Sequence, residues 1–174
     1  MREIILYIAQ SIDGYIARQN GSVDWLSDYE SGDTENSPAN NFATFFETID
    51  IVILGRTTYQ QVITELSPDN WAFPGKEVFV LSSKKLDDPN IISVNVDELL
   101  ETIENATGKI WVVGGAMLLR FFLENNFIDK MMITTIPISL GKGISLFTEI
   151  DNEQKYKVIN VENYNGLVEV TYER

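Results

Sequence analysis

Three short runs decide most of what this chain can become: "IVIL" (51–54), "VFVL" (78–81) and "IWVV" (110–113). Each is β-prone and apolar, with no alternation. A strand with one wet face alternates, whereas a strand covered on both faces does not. Residues 3–9, "EIILYIA", read as a first buried strand, and "NIISVNV" as a shorter one. Stretches with helical character separate them, at 41–49, 56–66, 97–106 and 116–126, with Asp97 as an expected cap of the third. Strands alternating with helices build a mostly parallel sheet with helices on both faces. After "DKMMITTIPIS" (129–139) the helical patterns stop. Residues 156–165 and 167–174 then read as an antiparallel hairpin around Asn165-Gly166. The acidic stretch 27–40 reads as a surface loop. The expected fold class is α/β, with a mixed, mostly parallel central sheet and an antiparallel C-terminal hairpin, in one domain over 1–174.

Composition removes several chemistries. With no cysteine there are no disulfides, thiolate metal sites or thiol nucleophiles. With no histidine there is no Ser-His-Asp triad and no imidazole base or ligand. An enzyme built from this chain relies on a cofactor or on carboxylates. A net charge of −13 argues against nucleic acid as a partner. No apolar stretch is long enough to span a bilayer, and the N-terminus runs straight into a strand pattern without a cleavage site. The expected location is the cytoplasm. Arg56, Lys76, Lys84 and Lys85 lie close together in sequence, so an anionic ligand would look for donors there.

In open α/β sheets ligands bind beyond the carboxyl ends of the strands. Three such ends carry suggestive residues. "ILGRTTY" ends a strand at Gly55 and opens a helix with Arg56, Thr57 and Thr58, where free amides, hydroxyls and a guanidinium suit a phosphate. "VLSSKK" places Ser82, Ser83 and Lys84 at another strand end. "VVGGAM" places Gly114 and Gly115 before a helix opening with Ala116 and Met117. Lacking Cβ atoms, that pair lets a pyrophosphate approach the main chain, although the stretch is not a GxGxxG fingerprint. Each piece alone also reads as an ordinary cap, strand exit or turn. Together they suit a dinucleotide with an extra 2′-phosphate, for which Arg56, Ser82, Ser83 and Lys84 are the candidate set.

The stretches "YIAQSIDGYIA" (7–17), "VILGRTTYQQV" (52–62), "VFVLSS" (78–83) and "IWVVGGAMLLRFFLENNFIDKMMITTIPISLGKGISLF" (110–147), followed by the terminal hairpin, resemble the dihydrofolate-reductase-like superfamily. Within it, the chain is most similar to the C-terminal reductase domain of bifunctional riboflavin-biosynthesis proteins. The resemblance spans nearly the whole chain. It implies a three-layer αβα fold, NADPH as cofactor and a homodimer. It places Ala9 and Ile16 at the nicotinamide end, and Gly55, Arg56, Thr57 and Thr58 on phosphates. Leu81, Ser82 and Ser83 fall on the adenosine side, and Gly114, Gly115, Ala116 and Met117 around the pyrophosphate. Trp25 borders the substrate pocket, with Phe42, Phe45 and Phe46 behind it.

True dihydrofolate reductases carry an acid on the first helix, facing the pterin. Here Pro38-Ala39-Asn40 stands at that place, and Asp33, Glu35 and Glu47 are the nearest acids. Poor folate reduction is therefore expected. The expected reaction is hydride transfer from NADPH to a polarised C=N or C=O of a small heterocycle, such as a ribosylaminopyrimidine. The alternatives are a weak dihydrofolate reductase and a non-catalytic NADP-binding module. Asp13 is a candidate polar participant, or simply part of an Asp-Gly turn. Lys142, in "LGKG", is a candidate for a substrate phosphate, or part of a turn.

Overall fold

In the computed structural model, residues 1–30, 38–164 and 166–174 are described. The elements in chain order are β1 (Arg2–Ser11), β2 (Tyr15–Ala17), α1 (Ser27–Glu30), α2 (Pro38–Glu47), β3 (Ile51–Gly55), α3 (Arg56–Gln61), β4 (Glu77–Leu81), β5 (Ile92–Val94), α4 (Val96–Asn105), β6 (Gly108–Gly114), α5 (Ala116–Glu124), β7 (Lys130–Ile136), β8 (Ile144–Ser145), β9 (Lys157–Tyr164) and β10 (Leu167–Glu173). A π-helical turn, Val62–Leu66, extends α3.

Eight strands form one sheet in the order β5-β4-β3-β6-β1-β7-β10-β9. The first six run parallel, and β10 and β9 are antiparallel to their neighbours. The non-alternating runs occupy β3, β4 and β6, in the sheet's parallel half, as their burial on both faces requires. One face packs Ile4, Leu6, Ile53 and Val112 against Leu99 and Ile103 of α4 and Leu118, Leu119, Phe122 and Leu123 of α5. The other packs Ile5, Tyr7, Val52, Leu54, Val80 and Trp111 against Phe45 of α2 and Tyr59 of α3. The three-layer α/β expectation holds. At the hairpin edge, β9 leaves Val158, Ile159 and Val161 exposed.

Some local readings change. The cap of α4 is Asn95, not Asp97. Its side chain accepts from the Glu98 amide at 3.0 Å, while the Glu98 carboxylate accepts from the Asn95 amide at 2.8 Å. The short pair β2–β8 was not legible, because three- and two-residue strands carry no periodicity. The stretch read as loop holds α1 and the start of α2. Asp33, Glu35 and the expected hairpin-turn residue Asn165 lie outside the described residues.

Candidate active site

The three suggestive strand ends are neighbours. In the parallel register Gly55 of β3 sits beside Leu81 of β4, and Leu54 of β3 beside Gly114 of β6. All three strands point the same way, so Gly55, Leu81 and Gly114 share one carboxyl edge. There the backbones come close. A Cβ on Gly55 would lie 3.6 Å from the Gly114 carbonyl oxygen, and one on Gly115 would lie 3.3 Å from Thr58 Oγ1. Gly114 has φ +123°, a conformation other residues rarely adopt, and the Gly114–Gly115 peptide is cis.

Two helices open on this edge. Gly55 precedes α3 and Gly115 precedes α5, and neither offers a side-chain cap. In α5 the Leu119 amide bonds to the Gly115 carbonyl at 3.0 Å, so the amides before it precede the helix ladder. Two helix starts with adjacent N–H groups make a setting for a phosphate pair. Arg56 and Thr58 are half-buried, and Thr57 is exposed. Ala116 is half-buried, while Met117 is 74% exposed. These residues all lie at or just beyond the shared edge of β3, β4 and β6.

The rest of the anion set needs correction. Ser82 is buried, and its hydroxyl closes a local turn. It donates to the Lys84 carbonyl at 2.6 Å and accepts from the Lys84 amide at 3.2 Å. Its proton is used inside the chain, which leaves exposed Ser83 and Lys84 as the donors at that strand end. Lys76 lies at the opposite end of β4, where it donates to the Ile49 carbonyl at 2.7 Å and covers the Phe46 ring. It has no part in this edge.

Ala9 and Ile16 do not meet in one cluster. Ile16 packs toward the α4–α5 side, and Ala9 packs against Trp25, Ile136, Tyr164 and Leu167. Trp25 is 2% exposed, and its indole N–H has no hydrogen-bond partner among the described residues. Phe45 and Phe46 pack on Trp111 at 5.7 and 6.4 Å, so core packing accounts for them. Phe42 is 39% exposed and stacks on Tyr7 at 6.0 Å.

Asp13 is a clasp. Its carboxylate accepts from Ser11 Oγ at 2.6 Å, Ser139 Oγ at 2.9 Å and the amides of Leu140 and Gly141 at 3.1 and 2.7 Å. Those bonds, that from Ser11 first, hold its carboxyl well below the usual carboxylate range. A group kept this firmly ionised is a poor proton donor, and the turn reading is the one this geometry favours. The glycines beside Lys142 serve the backbone: Gly141 has φ +73°, and a Cβ on Gly143 would overlap the Ala17 carbonyl.

One buried group escaped the sequence reading. Glu169 of β10 is 4% exposed. Its Oε2 accepts from Tyr7 Oη at 2.9 Å, Thr134 Oγ1 at 2.8 Å and Tyr164 Oη at 2.6 Å, from β1, β7 and β9 respectively. Burial, with Glu169 beside it, pushes the Tyr7 phenol well above its ordinary value, and burial pushes Tyr164 up to about 12. The one signal in the sequence was parity. In "LVEVTYE" Glu169 shares a strand face with Leu167 and Thr171, both buried.

Residues 72–168 match the family model for the RibD C-terminal domain. The chain is 36% identical over 181 aligned residues to YwjB of Bacillus subtilis (strain 168), described only as uncharacterized, covering 99% of this chain and 98% of that one. Among solved structures, it is similar to a putative riboflavin biosynthesis protein from Shewanella sp. PV-4, at 30% identity and a TM-score of 0.82, covering 99% and 98% of the two chains. The fold is also that of dihydrofolate reductase from Enterococcus faecalis complexed with NADP(H) and RAB-propyl, at 20% identity and a TM-score of 0.65, covering 99% and 96%. A glycine-edged parallel sheet, a closing hairpin and these matches agree: the chain has the dihydrofolate reductase fold and belongs to the RibD C-terminal domain family.

Proposed function

We propose that the protein is an NADPH-dependent reductase acting on a small heterocycle of the ribosylaminopyrimidine kind. The observation that carries this reading is the shared edge of β3, β4 and β6, where glycine backbones and two uncapped helix starts lie side by side. A Cβ at Gly55 would meet the Gly114–Gly115 main chain and one at Gly115 the Thr58 hydroxyl, so the glycines bring the two helix starts close enough for their amides to serve one pyrophosphate. Gly114, Gly115, Ala116 and Met117 would hold the pyrophosphate with Thr57 and Thr58. Arg56, Ser83 and Lys84 would hold the 2′-phosphate, with Leu81 under the adenosine. Ala9, with only a methyl group, would sit under the flat nicotinamide ring near the end of β1. When bound, the reduced nicotinamide supplies the hydride. The Trp25 cluster keeps water from the far side of that ring.

A dihydrofolate reductase complexed with NADP(H) shares the fold, which supports the cofactor choice. Folate itself is disfavoured, since the helix α2 carries no acid before Glu47, at its far end.

The test is a titration with NADPH and NADH, followed by energy transfer from tryptophan to the nicotinamide. NADPH is expected to bind at least about tenfold more tightly, because a charge-assisted pair to the 2′-phosphate is worth roughly 1.5–3 kcal/mol. Arg56→Ala should remove most of that preference and leave NADH binding nearly unchanged. Equal loss for both cofactors would move the 2′-phosphate away from Arg56. Binding of neither would end the reductase reading.

A further inference from the structure

The residues that hold a cofactor do not say which acceptor the pocket takes. The wall on the other side of Ala9 does. In the sheet register Ala9 of β1 faces Thr134 of β7, and Thr134 faces Glu169 of β10. Alternate residues of a strand share a face, so Tyr7, Ala9, Thr134 and Glu169 all look toward the α2 side. A ring resting on Ala9 therefore has the Thr134 hydroxyl as its cross-strand neighbour.

A hydroxyl has one proton and two lone pairs. Tyr7, Thr134 and Tyr164 all direct their single proton to one oxygen of Glu169. With the protons committed inward, these oxygens offer a ligand only lone pairs. Had Glu169 been apolar, the same three hydroxyls would be free to turn and donate. The carboxylate is thus a polarity setting for the wall. The adjoining donor is the Trp25 indole N–H, unpartnered among the described residues and packed in the same cluster as Ala9 and Tyr164.

We propose that Glu169 is the specificity-determining, positioning residue of the pocket beside Ala9: by taking the Thr134, Tyr7 and Tyr164 protons it makes that wall a hydrogen-bond acceptor, selecting heterocycles whose edge presents N–H donors. The ribosylaminopyrimidine kind proposed above has such an edge; what Glu169 adds is that a ring with only carbonyl or ether oxygens on that edge is rejected. Rejection follows because an acceptor facing an acceptor leaves two buried lone pairs unpaired. This rests on the reductase reading only in taking the space beside Ala9 as the acceptor pocket.

The experiment needs no turnover and no cofactor. Binding of 2-aminopyrimidine and of 2-methoxypyrimidine, both neutral at mildly alkaline pH, is measured by ligand-observed NMR on the full chain. The unmodified protein should favour the amine by roughly tenfold or more. Thr134→Val removes the acceptor nearest Ala9, and Glu169→Met releases the hydroxyl protons. Each should bring the ratio to within about threefold, the scale of a lost neutral hydrogen bond. Thr134→Ser and Glu169→Gln keep an oxygen in place and should keep most of the preference. A ratio is used because general loosening of the pocket weakens both probes alike, whereas a change of polarity moves their quotient. If Glu169→Met does not fold, the Thr134 pair carries the test alone. No binding of either probe, no preference in the unmodified protein, or a preference surviving in Thr134→Val would overturn the proposal. NADPH titrated separately distinguishes the outcomes: cofactor binding without the amine preference sinks this inference and leaves the reductase reading standing.

Discussion

The ends of β3, β4 and β6 and the faces of β1, β7, β10 and β9 solve opposite problems on one sheet. The first is an edge of glycines and open helix starts, where main chain is kept bare. The second is a wall of side chains, where hydroxyls from three strands converge on one buried carboxylate. Main-chain amides suit a ligand part common to many enzymes, such as a pyrophosphate, because their geometry comes with the helix. Side-chain hydroxyls suit the part that differs between enzymes, because one substitution resets their polarity. On the two readings proposed above, the glycine edge takes the cofactor and the hydroxyl wall chooses the substrate.

The largest expected effect would come from filling the edge. Gly114→Ala puts a side chain at φ +123°, where nothing crowds the Cβ but the backbone conformation itself resists it. Strain of this kind costs about 1–3 kcal/mol, so Tm should fall. Gly115→Val adds bulk where even a Cβ lies 3.3 Å from Thr58 Oγ1, and should abolish measurable NADPH binding. Neither change reaches the hydroxyl wall, so the preference for 2-aminopyrimidine should survive in both. Loss of that preference in a folded Gly115→Val protein would show that the two regions act as one.

The same contrast explains what the sequence disclosed. The glycine edge is written in contiguous residues. "LGRTT" and "VVGGAM" each join a buried strand to a helix, and parallel neighbours of that kind share an edge by rule. The sheet was legible for the same reason, since runs without alternation belong in covered strands. The hydroxyl wall is written in residues 7, 134, 164 and 169, which meet only through strand pairing. Glu169 sits between valines in "LVEVTYE" and reads as a solvent-facing residue until β10 is known to lie beside β7. Ser82 failed in the other direction: it looked free, but its hydroxyl was spent on a turn two residues away. Asp97 lost the cap of α4 to Asn95 because a cap is fixed by where the first turn begins, which the pattern leaves uncertain by a residue or two.

A smaller effect separates the two regions by pH. Two tyrosines are bonded to carboxylates, one outside the wall and one within it: Tyr59 of α3 with Asp88, and Tyr164 with Glu169. Burial pushes both phenols up to about 12 from an ordinary value of 10.0. A pKa raised on folding adds stability that is fully present below the unfolded value and is lost as pH rises through the folded one. The protein should therefore lose stability between about pH 10 and 12, with tyrosinate absorbance rising along with unfolding. Tyr59→Phe should flatten that loss without changing the probe preference. Tyr164→Phe should flatten it and also weaken the preference, since it deletes one of the three hydroxyls. Equal behaviour of the two variants toward the probes would remove Tyr164 from the wall.

The smallest effect concerns Asp13, in the turn that follows β1. Its pKa is lowered on folding, so its bonds are complete above the usual carboxylate range and are lost only as pH falls through the depressed value. Near neutral pH the clasp is intact, and acid would open it late. Asp13→Asn keeps one acceptor oxygen and loses the other, so the amides of Leu140 and Gly141 should exchange faster while Tm moves little. Hydrogen exchange at those two amides reads this directly. NADPH affinity and the probe ratio should both stay near their unmodified values, because the clasp orders a loop and belongs to neither region. If turnover with an aminopyrimidine substrate collapsed while exchange at Leu140 and Gly141 did not change, Asp13 would be moving a proton instead. The four donors around it would then serve to aim the carboxylate, and the division between glycine edge and hydroxyl wall would need a third, catalytic, member.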